Sequence, residues 1–267
     1  MNTEQAKQLS DDAINRLMEA IESGQSETLK NYLRVMSRFH KYSWGNVLMI
    51  YSQRPDATHV AGFQTWLGLN RHVRKGEKGI VILAPMVGRK KDRDESQEDE
   101  GTRLFWFRAA HIFDVSQTDG EALPEFATAQ GDPLDYTSRL KDFVAAQGIA
   151  LEYSDAIKPA KGMSSGGKIT LLPDLSQAEE FAVLVHETAH ELLHRGQRRN
   201  QTTQTVRETE AEAVAFVVST AIGLDANTSS ADYIQLYAGD KATLAESLGF
   251  VQQTAAKILS GIAQESP

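Results

Sequence analysis

The sequence predicts an α+β protein, with an N-terminal domain that combines helices with a small sheet and a mostly helical C-terminal domain. Apolar residues make up 41% and charged residues 24% of the 267 residues, a composition typical of globular proteins. A chain of this length suits two domains of ordinary size. Helix-spaced apolar stripes open and close the chain, whereas short β-rich segments lie between them.

The first domain is expected to cover residues 1–130 and to open with helices. Apolar residues recur at helical spacing from Ile14 to Ile21 and from Leu29 to Met36, with Gly24 between the two stripes. A third helix around residues 47–51 should end before Pro55, because proline disfavours helical geometry in the residue before it. A small mixed sheet is then expected, with strands at residues 59–61, 71–73, 79–83, 104–107 and 111–113.

Two polar segments interrupt this pattern. Residues 88–103 carry many charges of both signs, which predicts a mobile surface loop. Residues 117–133 contain scattered glycine and proline and indicate a linker, with the domain boundary near Gln130.

The second domain is expected to cover residues 131–267. A helix around residues 136–147 precedes strands at 150–153 and 168–172. Ser176 and Glu179 have the spacing of a capping box and predict the start of the next helix. Three further helices are predicted at residues 205–222, 231–237 and 242–262.

Composition excludes several classes of protein. Because there is no cysteine, disulfide frameworks, cysteine-bearing zinc fingers and cysteine nucleophiles are ruled out, and any metal must bind His, Asp or Glu. The N-terminus lacks a signal peptide pattern, and no apolar stretch reaches the roughly 20 residues that a membrane span needs. We therefore expect a cytoplasmic protein without a membrane partner.

The net charge of −8 hides a segregated distribution. Between Thr28 and Val87 there are nine basic residues against two acidic ones, which leaves a net charge of −15 on the rest of the chain. Such a basic segment is typical of a surface that meets an anionic partner.

A metal-binding motif lies on the capped helix. His186 and His190 are one helical turn apart, so both imidazoles can reach one ion in the HExxH pattern. Glu187 lies where a carboxylate can take a proton from an activated water and later donate one, which makes it the candidate general base and acid. The alternative is an ordinary amphipathic helix with satisfied core histidines.

A catalytic zinc site normally has three protein ligands. His194 is the nearest candidate in sequence, but it drifts off the face that His186 defines. Glu208 on the next helix is the preferred third ligand, and Glu212, one turn further on, is expected to accept an imidazole N–H, while Glu210 points the opposite way. We expect one zinc ion per chain, with other divalent metals as alternatives.

Two further features would support peptidase activity. Tyr233 or Tyr237 is a candidate oxyanion donor. The strand at residues 168–172 is expected either to form an edge beside the metal, where it could bind an extended peptide by strand addition, or to be a plain core strand.

The basic segment also contains aromatic and amide side chains. Cations can track a phosphate backbone, rings can stack on unpaired bases and amides can bond base edges, which favours single-stranded DNA. The alternative is a solvated basic face with Trp44 and Trp66 in the core. The candidate DNA-binding residues are Lys41, Trp44, Asn46, Gln53, Trp66, Arg71, Arg74, Lys75 and Lys78.

These residues resemble the ArdC-type antirestriction proteins. The similar N-terminal segments are Tyr42-Ser43 with Asn46 and Gln53, residues 57–62 with Trp66, residues 73–80 with Pro85, and residues 112–115. The HExxH helix and residues 208–212 resemble the metallopeptidase domain of that family, which is akin to the ImmA/IrrE and SprT-like zincins.

The resemblance implies a single-stranded DNA-binding domain followed by a gluzincin-like zinc domain that protects or processes incoming mobile-element DNA, such as plasmid DNA. Peptidase activity would require a protein substrate as a second partner beside the DNA. Two alternatives remain. One is a DNA-binding shield with a structural, non-catalytic zinc domain; the other is a regulatory metalloprotease that cleaves a repressor or a DNA-bound protein.

Overall fold

The structure is a computed structural model that describes residues 2–88, 103–121, 133–224 and 240–263. Its contacts divide the chain into two compact units. The first consists of Met1–Ile14 and Leu48–Leu123, and the second of Asn15–Val47 and Pro124–Pro267. Residues 15–47 thus pack with the C-terminal part of the chain, whereas the sequence-based division at residue 130 assigns them to the N-terminal domain.

Three helices precede the first strand. Helix α1 (Thr3–Glu22) ends where Gly24 adopts a φ of 78°, and α2 (Ser26–Arg38) follows. Helix α3 (Trp44–Gln53) ends before Pro55, as the sequence predicts.

The first unit is built on a three-stranded sheet. Its elements in chain order are β1 (Val60–Gly62), α4 (Phe63–Gly68), β2 (Arg71–Val73), β3 (Ile80–Gly88), β4 (Arg103–Asp114), a 3₁₀ helix (Val115–Gln117) and β5 (Thr118–Gly120). The strand order is β1-β4-β3, and β2 pairs separately with β5. All of these pairs are antiparallel, so the expected mixed sheet is corrected to an antiparallel one.

A small apolar core covers one face of this sheet. Ala6 of α1, Met49 of α3 and Val81 of β3 pack together, with Leu83 and Ala109 beside them. The predicted strands at 104–107 and 111–113 are parts of the single long strand β4, whose partner β3 has a register shift between Met86 and Val87. Residues 89–102 of the predicted loop and 122–132 of the predicted linker lie outside the described residues.

The second unit is mostly helical. Its remaining elements are α5 (Pro133–Ala146), β6 (Ala150–Tyr153), a 3₁₀ helix (Asp155–Ile157), β7 (Gly162–Ser164), β8 (Lys168–Leu171), α6 (Gln177–Leu193), α7 (Gln197–Gln201), α8 (Gln204–Ala221) and α9 (Lys241–Ile262). Helix α8 packs against α2, α6 and α9, and α5 packs against α6 and α9. The predicted helix at 231–237 lies outside the described residues.

Capping residues fix where the later helices begin. The Thr203 hydroxyl accepts the Val206 N–H at the start of α8, and the Asp240 carboxylate accepts the N–H groups of Ala242 and Thr243 at the start of α9. Long apolar faces then bury these helices. Within the described residues no helix is long and apolar enough to cross a membrane.

Candidate metal centre

Helix α6 presents the HExxH motif from a well-defined start. Ser176 donates from its N–H (3.3 Å) and its hydroxyl (2.6 Å) to the Glu179 carboxylate, in the predicted capping box. Phe181, Leu184, Val185 and Ala189 are fully buried and fix the rotation of the helix. His186 and His190 therefore project together on its partly exposed side.

Three potential ligand atoms converge between α6 and α8. His186 Nε2 and His190 Nε2 are 3.1 Å apart, and Glu208 Oε2 lies 3.5 Å from the first and 3.4 Å from the second. The structure thus brings together the two histidines and the carboxylate that the sequence predicts as ligands. In the described part of the chain, no other group of three His, Asp or Glu side chains has this spacing.

The donor set fits a divalent metal ion. Ligand atoms about 2.1 Å from one ion in a tetrahedral arrangement are separated by about 3.4 Å, which is close to the three distances in the structure. Two imidazoles and one carboxylate are typical of zinc sites and leave a fourth position open.

Two carboxylates, those of Glu208 and Glu212, flank the His186 ring. Burial favours its neutral form, but hydrogen bonds to Glu208 and Glu212 outweigh burial and raise the pKa of His186 to about 9. Bonds from His186 and His190 hold the pKa of Glu208 well below its ordinary value. Glu212 Oε2 lies 3.4 Å from His186 Nδ1, on the opposite side of the ring from Glu208, where the sequence predicts a supporting carboxylate.

His194 contacts the Nδ1 side of the His190 ring, away from the three converging atoms. The two Nδ1 atoms are 3.0 Å apart, and His194 Nε2 lies 2.9 Å from Glu210 Oε2. Burial lowers the pKa of His194 despite its bond to Glu210, so the ring is neutral near pH 7. His194 therefore contacts His190 and is not one of the three converging residues.

Glu210 is fully buried and has a structural role that the sequence does not predict. Besides His194, its carboxylate accepts bonds from Arg198 Nη2 (2.5 Å) and Ser247 Oγ (2.7 Å). Its side chain does point away from Glu208, as the helical spacing predicts, but it points into an ionic cluster with α9. The only signal in the sequence is that a carboxylate follows a His-rich helix, because Arg198 and Ser247 are brought there by tertiary packing.

Glu187 lies beside the three converging atoms, with 8% of its surface exposed. Burial raises the pKa of its carboxyl above the ordinary value, although the neighbouring histidines partly offset the effect. Gly162 of β7 makes this position possible, since a Cβ there would come within 2.8 Å of Glu187 and 2.5 Å of Val183. A buried carboxyl with a raised pKa is suited to accepting and returning a proton.

The edge strand beside the site is β7, which corrects one of the two expectations for residues 168–172. The sheet order is β6-β8-β7, so β8 is central, and Ile169, Thr170 and Leu171 are buried. The plain core-strand alternative is the one observed. Strand β7 forms inside a segment whose polar, glycine-rich sequence predicts a loop.

A cavity of about 380 Å³ lies between β7 and the histidines. Gly162, Met163 and Ser164 line it from the strand, and Arg199 and Arg207 line it from α7 and α8. Glu191 ties the turn after β7 to α6, because its carboxylate accepts the Gly166 N–H (2.9 Å), the Gly167 N–H (2.7 Å) and the Ser164 hydroxyl (2.7 Å). Tyr233 and Tyr237, the candidate oxyanion donors, lie outside the described residues.

Two of the candidate DNA-binding residues have structural roles instead. Trp66 is 2% exposed and donates its indole N–H to the Phe113 carbonyl, so its ring lies in the core and not on a surface that a base could reach. The Gln53 amide donates to Val81 O (2.9 Å) and accepts from Val81 N (2.9 Å), and it therefore satisfies the backbone of β3. Trp66 is therefore corrected from a DNA contact to a core residue, and the Gln53 amide is occupied by the backbone of β3.

Two arginines of the basic segment are engaged within their own unit. Arg71 donates to Thr118 Oγ1 (2.8 Å), Thr118 O (3.0 Å) and the Glu121 carbonyl, which fastens β2 to β5. Arg74 pairs with Glu77 (2.8 Å) and Asp119 (3.4 Å). These bonds leave less of each guanidinium for a phosphate.

The lysines are more accessible. Lys75 and Lys78 are exposed on the turn before β3, and neither has an ion pair within the described residues.

Lys41, Trp44 and Asn46 belong to the second unit; Lys41 is exposed, whereas Trp44 and Asn46 are half-buried. Position 249 of α9 faces the Trp44 ring, where a Cβ would come within 3.4 Å.

Comparison with known proteins identifies the N-terminal region. Residues 7–113 match the sequence model of the family described as the N-terminal domain of anti-restriction factor ArdC. A curated protein of Bacillus anthracis, whose description is 'uncharacterized protein', is 24% identical over 305 aligned positions, which cover 97% of this chain and 51% of the relative. The chain thus spans about half the length of this relative.

Solved structures give the same assignment at the level of fold. Two crystal structures of the antirestriction protein ArdC from plasmid R388, one metal-free and one with Mn(II) bound, superpose with a TM-score of 0.58 at 19% identity. The matches cover 95% and 96% of this chain, and 97% and 99% of the respective ArdC chains. Residues 7–113 thus match the ArdC N-terminal domain family, and the chain as a whole shares the fold of the ArdC structures.

Proposed function

We propose that this protein is a single-stranded DNA-binding, zinc-dependent metallopeptidase of the antirestriction type that protects or processes incoming mobile-element DNA. The observation that carries the peptidase part is the convergence of His186, His190 and Glu208 within 3.5 Å of one another, with the Glu187 carboxyl beside them. The Mn(II)-bound form of the plasmid R388 relative supports a divalent metal at such a site.

His186, His190 and Glu208 would hold the ion. A divalent ion bound there supplies Lewis-acid chemistry, which makes water more acidic and polarises a substrate carbonyl. Glu187 then performs the proton transfers: it accepts a proton when water attacks the amide carbon and donates that proton to the departing amine. A raised pKa favours both directions of this transfer.

Substrate binding is assigned to the free edge of β7. This strand pairs with β8 on one side, and within the described residues no strand covers its other side. An extended polypeptide can add to such an edge through backbone hydrogen bonds. Met163 on this edge is 45% exposed and offers an apolar contact for a substrate side chain.

Single-stranded DNA binding is assigned to the ArdC N-terminal domain. The excess of seven positive charges between Thr28 and Val87, together with the exposed Lys75 and Lys78, supports an anionic partner. The family description of residues 7–113 supports a role in antirestriction.

The decisive experiment compares the wild-type protein with Glu187→Gln and His186→Ala. Bound zinc is measured by mass spectrometry, and cleavage is followed with fluorescein-labelled casein, with and without a 40-nucleotide single strand. We expect wild type and Glu187→Gln to bind one zinc per chain, wild type alone to cleave, and His186→Ala to lose both. Cleavage by Glu187→Gln, or loss of its zinc, would contradict the assigned role of Glu187.

The same variants separate the two remaining functions in cells. Establishment of an unmethylated plasmid in a restricting host measures protection. Full protection by Glu187→Gln would favour a DNA-binding shield with a structural metal. Loss of protection with intact DNA binding would favour a peptidase that acts on a DNA-bound or regulatory protein.

A further inference from the structure

We infer that a buried relay from α9 to the metal centre sets the tautomer of His190 and thereby the affinity of the site for metal. The relay consists of Ser247, Arg198, Glu210, His194 and His190, and the four contacts that join them lie inside the second unit. The inference rests on the metal site proposed above, and it assigns positioning roles to residues that touch no ligand atom.

The direction of each hydrogen bond follows from the Glu210 carboxylate. An ionised carboxylate only accepts, so the proton between His194 and Glu210 lies on His194 Nε2 (2.9 Å). A neutral imidazole carries one proton, so His194 Nδ1 is an acceptor. It must therefore receive the proton of His190 Nδ1, which is 3.0 Å away.

This polarity prepares His190 for metal. With its proton on Nδ1, the ring keeps an unprotonated Nε2, and that atom faces His186 Nε2 and Glu208 Oε2. The opposite tautomer would place a proton on the atom that should bind the ion. It would also leave two facing lone pairs between His190 and His194.

Burial gives the relay a single arrangement. Glu210 is 0% and His194 2% exposed, so water cannot reach these side chains to replace a lost hydrogen bond. The loss of one bond therefore leaves a buried polar group unsatisfied, which is costly. Arg198 and Ser247 occupy Glu210 Oε1, which keeps Oε2 for His194. Arg198 also pairs with Glu246 (3.2 Å) and stacks on Phe250, so α9 holds the far end of the relay through three residues.

The test uses two substitutions of His194. His194→Leu removes the acceptor for His190, whereas His194→Asn places an amide oxygen near the former Nδ1 position and should restore it. Zinc affinity is measured by competition with a chromophoric chelator, and the His190 tautomer of the metal-free protein by ¹H–¹⁵N NMR of the histidine rings. We expect His194→Leu to weaken zinc binding about 10–100-fold and to populate the Nε2–H tautomer. His194→Asn should recover most of the affinity.

Two further variants test the far end. Ser247→Ala should weaken zinc binding by a smaller factor, whereas Lys257→Gln, at an exposed position of α9 outside the relay, should leave it unchanged. Thermal unfolding of each metal-free variant identifies any that fail to fold. If the wild-type protein binds no zinc, the proposed metal site itself is wrong. Zinc affinity and a tautomer unchanged in folded His194→Leu would overturn the relay alone.

Discussion

Gly162 and Glu187 lie so close that a single methyl group on the glycine would come within 2.8 Å of the carboxylate and 2.5 Å of the neighbouring Val183. The glycine is therefore required for β7 to pass over the HExxH helix. It sets the width of the cavity between the edge strand and the proposed metal centre.

Gly162→Ala should displace β7 or Glu187. We expect a loss of about 1–3 kcal/mol in the free energy of unfolding, because the β-branched Val183 side chain is stiff and lies 2.5 Å from the added Cβ. Casein cleavage should fall with it. Urea denaturation of the metal-free protein measures the effect, and Gly68→Ala is the control because a Cβ there meets nothing within 4 Å. Equal stability of the two variants would show that the strand shifts freely.

Gly261→Ala tests the packing of α9 on α5. A Cβ at this position would come within 2.2 Å of the Phe143 ring. Alanine gains about 1 kcal/mol of helix propensity over glycine, but we expect the clash to prevail and the melting temperature to fall. The double variant with Phe143→Leu should recover part of the loss, and strictly additive effects would argue against direct contact.

The lysines and arginines of the basic segment should respond differently. Lys75→Ala with Lys78→Ala should weaken binding of a single-stranded oligonucleotide, without loss of stability, and should flatten the log–log salt dependence by about 0.7 per lost phosphate contact. Arg71→Ala should lower the unfolding free energy of the first unit, because it removes the bonds between β2 and β5. Fluorescence anisotropy across a salt series measures the first effect. Binding unchanged by both lysine substitutions would place the DNA surface elsewhere.

Asp114 should make the first unit sensitive to acid. Burial alone would raise the pKa of its carboxyl, but bonds from Ser116, Thr58 and His59 outweigh burial and lower the pKa below 3.8. The resulting stability is present above pH 3.8 and is lost as the pH falls through the lowered folded-state pKa.

Asp114→Asn removes this contribution. Because an amide cannot accept all of these bonds, we expect a loss of about 1–3 kcal/mol at pH 7 that shrinks as wild-type Asp114 becomes protonated. Urea midpoints at pH 7, 5 and 3 measure the difference between the two proteins. A difference that stays constant with pH would contradict the assignment to the carboxylate.

The sequence predicts the parts of the site that follow from local periodicity. His186, His190 and Glu208 come together because helical spacing fixes the first two and a second helix supplies the third. The capping box at Ser176 and the ends of α3, α8 and α9 follow from equally local rules.

What the sequence does not predict depends on contacts between distant segments. Strand β7 exists because β8 supplies its backbone partners and Glu191 holds its turn, although its composition is typical of a loop. Trp66 and Gln53 look like ligand-binding residues in a basic segment, yet each satisfies a backbone group more than 25 residues away. Glu210 has a role only once Ser247 and Arg198 are folded against it.

The brevity of β7 has a consequence for target choice. Three residues provide a docking edge only about 10 Å long, so a guest strand gains few backbone hydrogen bonds and little affinity from its own sequence. In the proposed peptidase, a protein bound to the same DNA strand would instead reach the edge at a high effective concentration. Co-localisation on nucleic acid would then decide which proteins are cut, and freely diffusing proteins would be spared.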